Sequence, residues 1–171
     1  FASMSKYLSD FKDPMKKNVP IFLLLAHLGM GKTWNFAYIT EYLLIVRNIA
    51  IPFFVNLKEG LKQQLFSIFN TQNMREIADR CQKIKAETQL PIFLILDGLD
   101  ELATTDLKDA LLMFKELLLK RIDGLCIALS CRIVAWVEEQ LILNERSFFE
   151  DNVWSDHRCS DWKSQFDIAT P

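Results

Sequence analysis

The chain has 171 residues, half of them hydrophobic, which is enough for a single domain with a substantial core. Its formal net charge of -2 leaves no basic excess to attract a polyanion, so bulk charge gives nucleic-acid binding no support. No apolar run approaches the roughly 20 residues of a bilayer span, so a membrane helix is not expected and a cytoplasmic location is.

Residues 1–18, with "KDPMKKN" at 12–18, read as a solvated segment leading into the first apolar run. The chain starts at Phe1 and stops after "DIATP", and we expect one domain that is a piece of a longer protein. Four short apolar runs follow: "IFLLLA" (21–26), "IPFFVNL" (51–57), "PIFLILD" (91–97) and "LCIALSC" (125–131). Each is continuous rather than alternating, the pattern of strands buried on both faces.

Helical spacing fills the gaps. Trp34, Phe36, Ile39 and Leu43 mark an apolar helix in which Trp34 is expected to be core, as is Trp136. Met74, Ile77, Ala78, Cys81 and Ile84 share one face of a second. Leu107, Leu111, Phe114 and Leu118 share one face of a third, whose outer side carries a Glu116–Lys120 pair at the supportive i,i+4 spacing. Buried strands alternating with helices imply an α/β fold with right-handed crossovers and a parallel sheet. Chemistry is then sought after Ala26, Leu57, Asp97 and Cys131, at the carboxyl ends of the strands. Beyond Arg146 the pattern degrades, and the tail (145–171) is read only as a fifth strand near 148–154 and a short helix near 160–166. Trp154 and Trp162 there are expected to pack against a further domain. Cys81, Cys126, Cys131 and Cys159 lack C-x-x-C spacing and read as reduced, mostly buried thiols.

The first strand runs into "AHLGMGKT", the phosphate-loop pattern G-x-x-x-x-G-K-[ST] with Ala26 in place of the first glycine. An alanine fits at a strand end if its φ is negative. His27, Leu28 and Met30 complete the loop, with His27 at a position normally turned away from phosphate. Gly29 and Gly31 let backbone N–H groups face inward, and the following helix N-terminus adds positive potential. Lys32 would reach the β- and γ-phosphates, Thr33 would ligate Mg²⁺, and Trp34 follows at the helix start.

The third strand ends in "LDGLDEL". Asp97 presents a carboxylate where it can hold Mg²⁺, and Asp100 or Glu101 can activate a water, Glu101 being favoured for its reach. Arg132 directly follows the fourth buried strand, where a planar cation can face the γ-phosphate. No N-K-x-D guanine motif is present, which favours adenine and hence ATP.

A phosphate loop followed by an apolar strand ending D-G-L-D-E resembles the NACHT family of STAND P-loop NTPases. "IPFFVNLKEG" (51–60) is similar to that family's second strand and "LCIALSCR" to the strand ending in its sensor arginine. The resemblance spans residues 19–137. It implies a three-layer α/β/α sandwich with a mostly parallel sheet of about five strands, the strand at 125–131 inserted between the loop strand and the Asp97 strand. It also implies Ser130 and Arg132 beside the γ-phosphate, and base contacts near Phe11 and Val19. A slow ATP hydrolase acting as a signalling or defence switch follows, with flanking helical, winged-helix and effector domains and oligomerisation in the longer protein. Two other readings stay open: a scaffold that binds nucleotide without turnover, and an AAA-type motor or loader, which Gly98 in place of an acid disfavours.

Overall fold

The computed structural model describes residues 21–42, 48–119, 122, 124–138 and 144. Strands β1 (Phe22–Ala26), β2 (Ile51–Asn56), β3 (Ile92–Asp97) and β4 (Leu125–Arg132) match the four apolar runs to within one residue at either end. Between and after them lie helices α1 (Lys32–Glu41), α2 (Leu61–Ile68), α3 (Met74–Thr88), α4 (Thr104–Leu119) and α5 (Ile133–Glu138). Single turns of 3₁₀-helix at Leu57–Glu59 and Leu99–Glu101 follow β2 and β3.

The strands form one parallel sheet in the order β1-β4-β3-β2, with β4 inserted between β1 and β3 as expected. Among the described residues the sheet has four strands rather than about five. The expected strand at 148–154 and helix at 160–166 lie outside the described residues, as do Phe11, Val19, Leu43, Lys120, Trp154, Cys159 and Trp162.

Sheet order dictates the layers. A right-handed crossover places its helix on one face when the chain steps outward and on the other when it returns. The outward step from β1 to β2 puts α1 on one face, where Phe36 and Ile39 pack with Phe93, Ile95, Cys126 and Ala128. The return steps to β3 and then β4 put α2, α3 and α4 on the opposite face, over Val55, Leu94, Leu96, Ile127 and Leu129. All six residues of β3 are buried, so no polar alternation is possible there, whereas β1 and β2, the outer strands among the described residues, are only partly covered.

In α3, Ile77 and Cys81 are buried and Met74, Ala78 and Ile84 pack against them; Asn73 caps its start by accepting the Arg75 N–H at 2.9 Å. In α4 the buried face holds Leu107, Leu111 and Phe114, joined by Ala110 and Leu117, while the Leu118 side chain lies outside the described set. Trp136 is fully buried, as expected. Trp34 is not: it is 82% exposed. At about 100° per residue, Trp34 lies opposite Phe36 on the helix, so the face that buries Phe36 and Ile39 turns Trp34 and Tyr38 outward. Among the described residues no helix is long and apolar enough to cross a membrane.

Candidate functional site

Register brings the predicted residues to one edge of the sheet. Ala26 pairs with Arg132 at the ends of β1 and β4, and Asn56 pairs with Asp97 at the ends of β2 and β3. The expected position after Leu57 contributes little to this edge. Asn56 caps the Lys58 N–H at 3.1 Å, its carbonyl accepts from Gln64 Nε2 at 2.5 Å, and Leu57 is buried. The site therefore draws on β1, β3 and β4.

After Ala26 the chain turns through His27, Leu28, Gly29 and Met30, all exposed, with the Met30 N–H reaching the His27 carbonyl at 3.3 Å. Gly29 and Gly31 hold φ of 77° and 70°, left-handed values that side chains resist. A Cβ on Gly29 would meet nothing within 4 Å, so backbone conformation rather than space requires that glycine. Helix α1 then begins at Lys32 with no side-chain cap and no acidic residue in its first turn. Its leading N–H groups and dipole are thus left for an anion. Lys32 is half-buried and takes part in no ion pair among the described residues.

Thr33, the second residue of α1, donates its hydroxyl to Asp97 Oδ2 at 2.6 Å. The other carboxylate oxygen accepts the Ser130 hydroxyl at 2.5 Å, and Ser130 Oγ in turn accepts the Gly98 N–H at 2.9 Å. Asp97 is 8% exposed and Ser130 fully buried, so the chain Gly98, Ser130, Asp97, Thr33 fixes the orientation of the carboxylate. The Ser130 hydroxyl thus both donates, to Asp97, and accepts, from Gly98.

The two acids downstream diverge. The Asp100 side chain is 1% exposed; Oδ1 accepts the backbone N–H of Arg132 at 2.7 Å and Oδ2 accepts its Nε–H. This carboxylate pushes the Arg132 guanidinium further above its already high range, by hydrogen bonding first and by charge second. Glu101 is exposed and folds back over Gly98, its Cδ lying 3.4 Å from where a Gly98 Cβ would stand. Gly98 itself sits at φ 85°. A glycine after Asp97 thus serves both the turn and the seat of Glu101. Beneath Arg132, burial pushes the Cys131 thiol up to about 12; Asp100 adds to the rise, and Lys32 and Arg132 oppose it.

Mg²⁺ favours oxygen donors, keeps much of its water, and is usually held by one or two carboxylates together with substrate phosphates. The Thr33 hydroxyl and Asp97 carboxylate supply that kind of donor set, and among the described residues no cluster of three or more His, Cys, Asp or Glu offers an all-protein cage. The residues present fit the ion.

Sequence reasoning missed the Ser130 bridge and the Asp100–Arg132 pair. The available signal was a serine on the same strand face as Arg132, within a strand otherwise apolar to its end. Neither any protein-family model nor any curated protein matches the chain.

Proposed function

We propose that this chain binds ATP with Mg²⁺ and hydrolyses it slowly, as the nucleotide domain of a STAND-type switch with a P-loop NTPase fold. The observation that carries the reading is the Thr33–Asp97 hydrogen bond, which joins the end of a glycine loop to the end of β3. Two residues assigned to one metal from separate motifs meet at the sheet edge where such folds bind ligands.

In this reading the N–H groups of the loop and the Lys32 ammonium bind the β- and γ-phosphates. Thr33 and Asp97 would hold Mg²⁺, which when bound neutralises charge on the phosphates. Glu101 takes a proton from the attacking water as its oxygen bonds to the γ-phosphorus and the bond to the bridging oxygen breaks, leaving ADP and inorganic phosphate. Arg132 steadies the charge that develops. The same reading places the protein in the cytoplasm, with flanking helical, winged-helix and effector domains and assembly of the longer protein.

A scaffold that binds without turnover keeps some support, because Asp100 is already committed to Arg132 and Glu101 is left as the single acid for the water. Calorimetric titration of ATP with Mg²⁺ into the parent and Lys32→Ala tests the shared premise. Loss of one charge-assisted contact should weaken binding at least tenfold, about 1.4 kcal/mol. Equal affinity in the two would overturn the assignment of the loop.

A further inference from the structure

Asp100 lacks what a general base requires, an oxygen open to water. Its side chain is 1% exposed, and Arg132 occupies both oxygens. What the carboxylate does have is a two-point hold on one residue. It accepts the main-chain N–H of Arg132 and the side-chain Nε–H of the same residue, fixing the strand end and the first polar atom of the guanidinium together.

Of the five N–H donors of an arginine, this hold uses one. The four on the two Nη atoms take no partner among the described residues, and the Arg132 side chain is 39% exposed. Register then sets where that planar cation is anchored: opposite Ala26, the residue from which the glycine loop departs. A guanidinium pinned at Nε and open at both Nη atoms suits the oxygens of a terminal phosphate, whereas an unpinned one must lose rotamer freedom on binding.

We propose that Asp100 is a positioning residue that presents Arg132 to the γ-phosphate and so sets the preference for nucleoside triphosphate over diphosphate. The inference rests on the nucleotide reading above. The loop and Lys32 divide their contacts between the β-phosphate that both nucleotides carry and the γ-phosphate. Arg132, held at the far strand end, adds contacts that only the γ-phosphate can take, and Asp100 governs it.

The test compares the parent chain, Asp100→Asn, Arg132→Ala and the double variant, each titrated with ADP and with a non-hydrolysable ATP analogue under the same Mg²⁺. Asp100→Asn keeps an oxygen for the Arg132 N–H but loses the negative charge at Nε. It should lower analogue affinity about tenfold, leave ADP affinity within about twofold, and add little to the loss in Arg132→Ala. Equal losses for both nucleotides, or a double variant whose losses multiply, would overturn the positioning role. So would unchanged affinities with turnover alone abolished, which is the signature of a base. A parent that binds neither nucleotide defeats the functional reading instead. The pair is then judged by the NMR signal of the Arg132 Nε–H, which should be slow to exchange in the parent and fast in Asp100→Asn; fast exchange in the parent removes the hold itself.

Discussion

Thr33 and Asp97 lie 64 residues apart in sequence and 2.6 Å apart in space, the threonine hydroxyl donating to a carboxylate that Ser130 holds from the other side. The hydroxyl proton points at Asp97, so the oxygen lone pairs remain for a cation. Thr33→Val should therefore abolish the Mg²⁺ dependence of nucleotide binding while costing only about 1 kcal/mol of stability, the usual worth of one hydrogen bond. Asp97→Asn should do the same to Mg²⁺ dependence, and the double variant should be no worse than either single one. Full Mg²⁺ dependence in Thr33→Val, measured by titration with and without the ion, would remove the pair from the site.

Gly98 and Glu101 form the second linked pair. Gly98→Ala places a methyl in a left-handed backbone at φ 85° and against the Glu101 side chain, so it should cost about 1–2 kcal/mol of stability and displace the acid. Glu101→Gln should leave affinity intact and lower turnover by roughly 10² to 10⁴. We expect Gly98→Ala to lower turnover as well, with affinity little changed. Phosphate release by Glu101→Gln at the parent's rate would leave the domain a binder without this base.

Ala26 stands where the loop pattern has glycine, yet it belongs to β1 and pairs in register with Arg132. Since β backbone accommodates an alanine methyl, Ala26→Gly should change nucleotide affinity by no more than a few-fold and cost about 1 kcal/mol or less. A large gain in affinity, read by the same titration, would mean that the methyl obstructs the phosphate.

The buried thiols make stability pH-dependent. Burial pushes Cys81 and Cys131 from 9.0 up to about 12, so the native state keeps both neutral where an unfolded chain ionises them. Their contribution is fully present below pH 9 and is lost as pH rises from 9 towards 12. Urea midpoints should fall across that window. Cys81, Cys126 and Cys131 should also resist alkylation in the native state and react only after denaturation; fast native labelling at any of them, mapped by mass spectrometry, contradicts the burial.

Much of this was legible in the sequence because the signals were local. Continuous apolar runs announced β3 and β4, since strands covered on both faces have no polar side to show, and Gly29, Gly31, Lys32 and Thr33 sit within five residues of one another. Trp34 was misread because hydrophobicity alone does not say which side of a helix meets the sheet; Phe36 and Ile39 decide that, two and five residues on. The different surroundings of Asp100 and Glu101 were hidden for another reason. The acids are neighbours in sequence, and only the partner supplied by β4, 32 residues further on, buries one and leaves the other in water.

The placement of β4 also governs the order of assembly. Phe22 pairs with Ala128 and Ile92 with Leu125, so the first strand finds its neighbour only after the last described strand has been made, while β2 and β3 can pair beforehand. Until β4 arrives, the glycine loop and the acid-bearing turn belong to separate halves of the chain. Contacts this distant in sequence carry a high loop-closure cost and slow the search. A ligand held by β1, β3 and β4 together thus recognises only the finished sheet, and its presence late in folding would trap the completed domain by mass action.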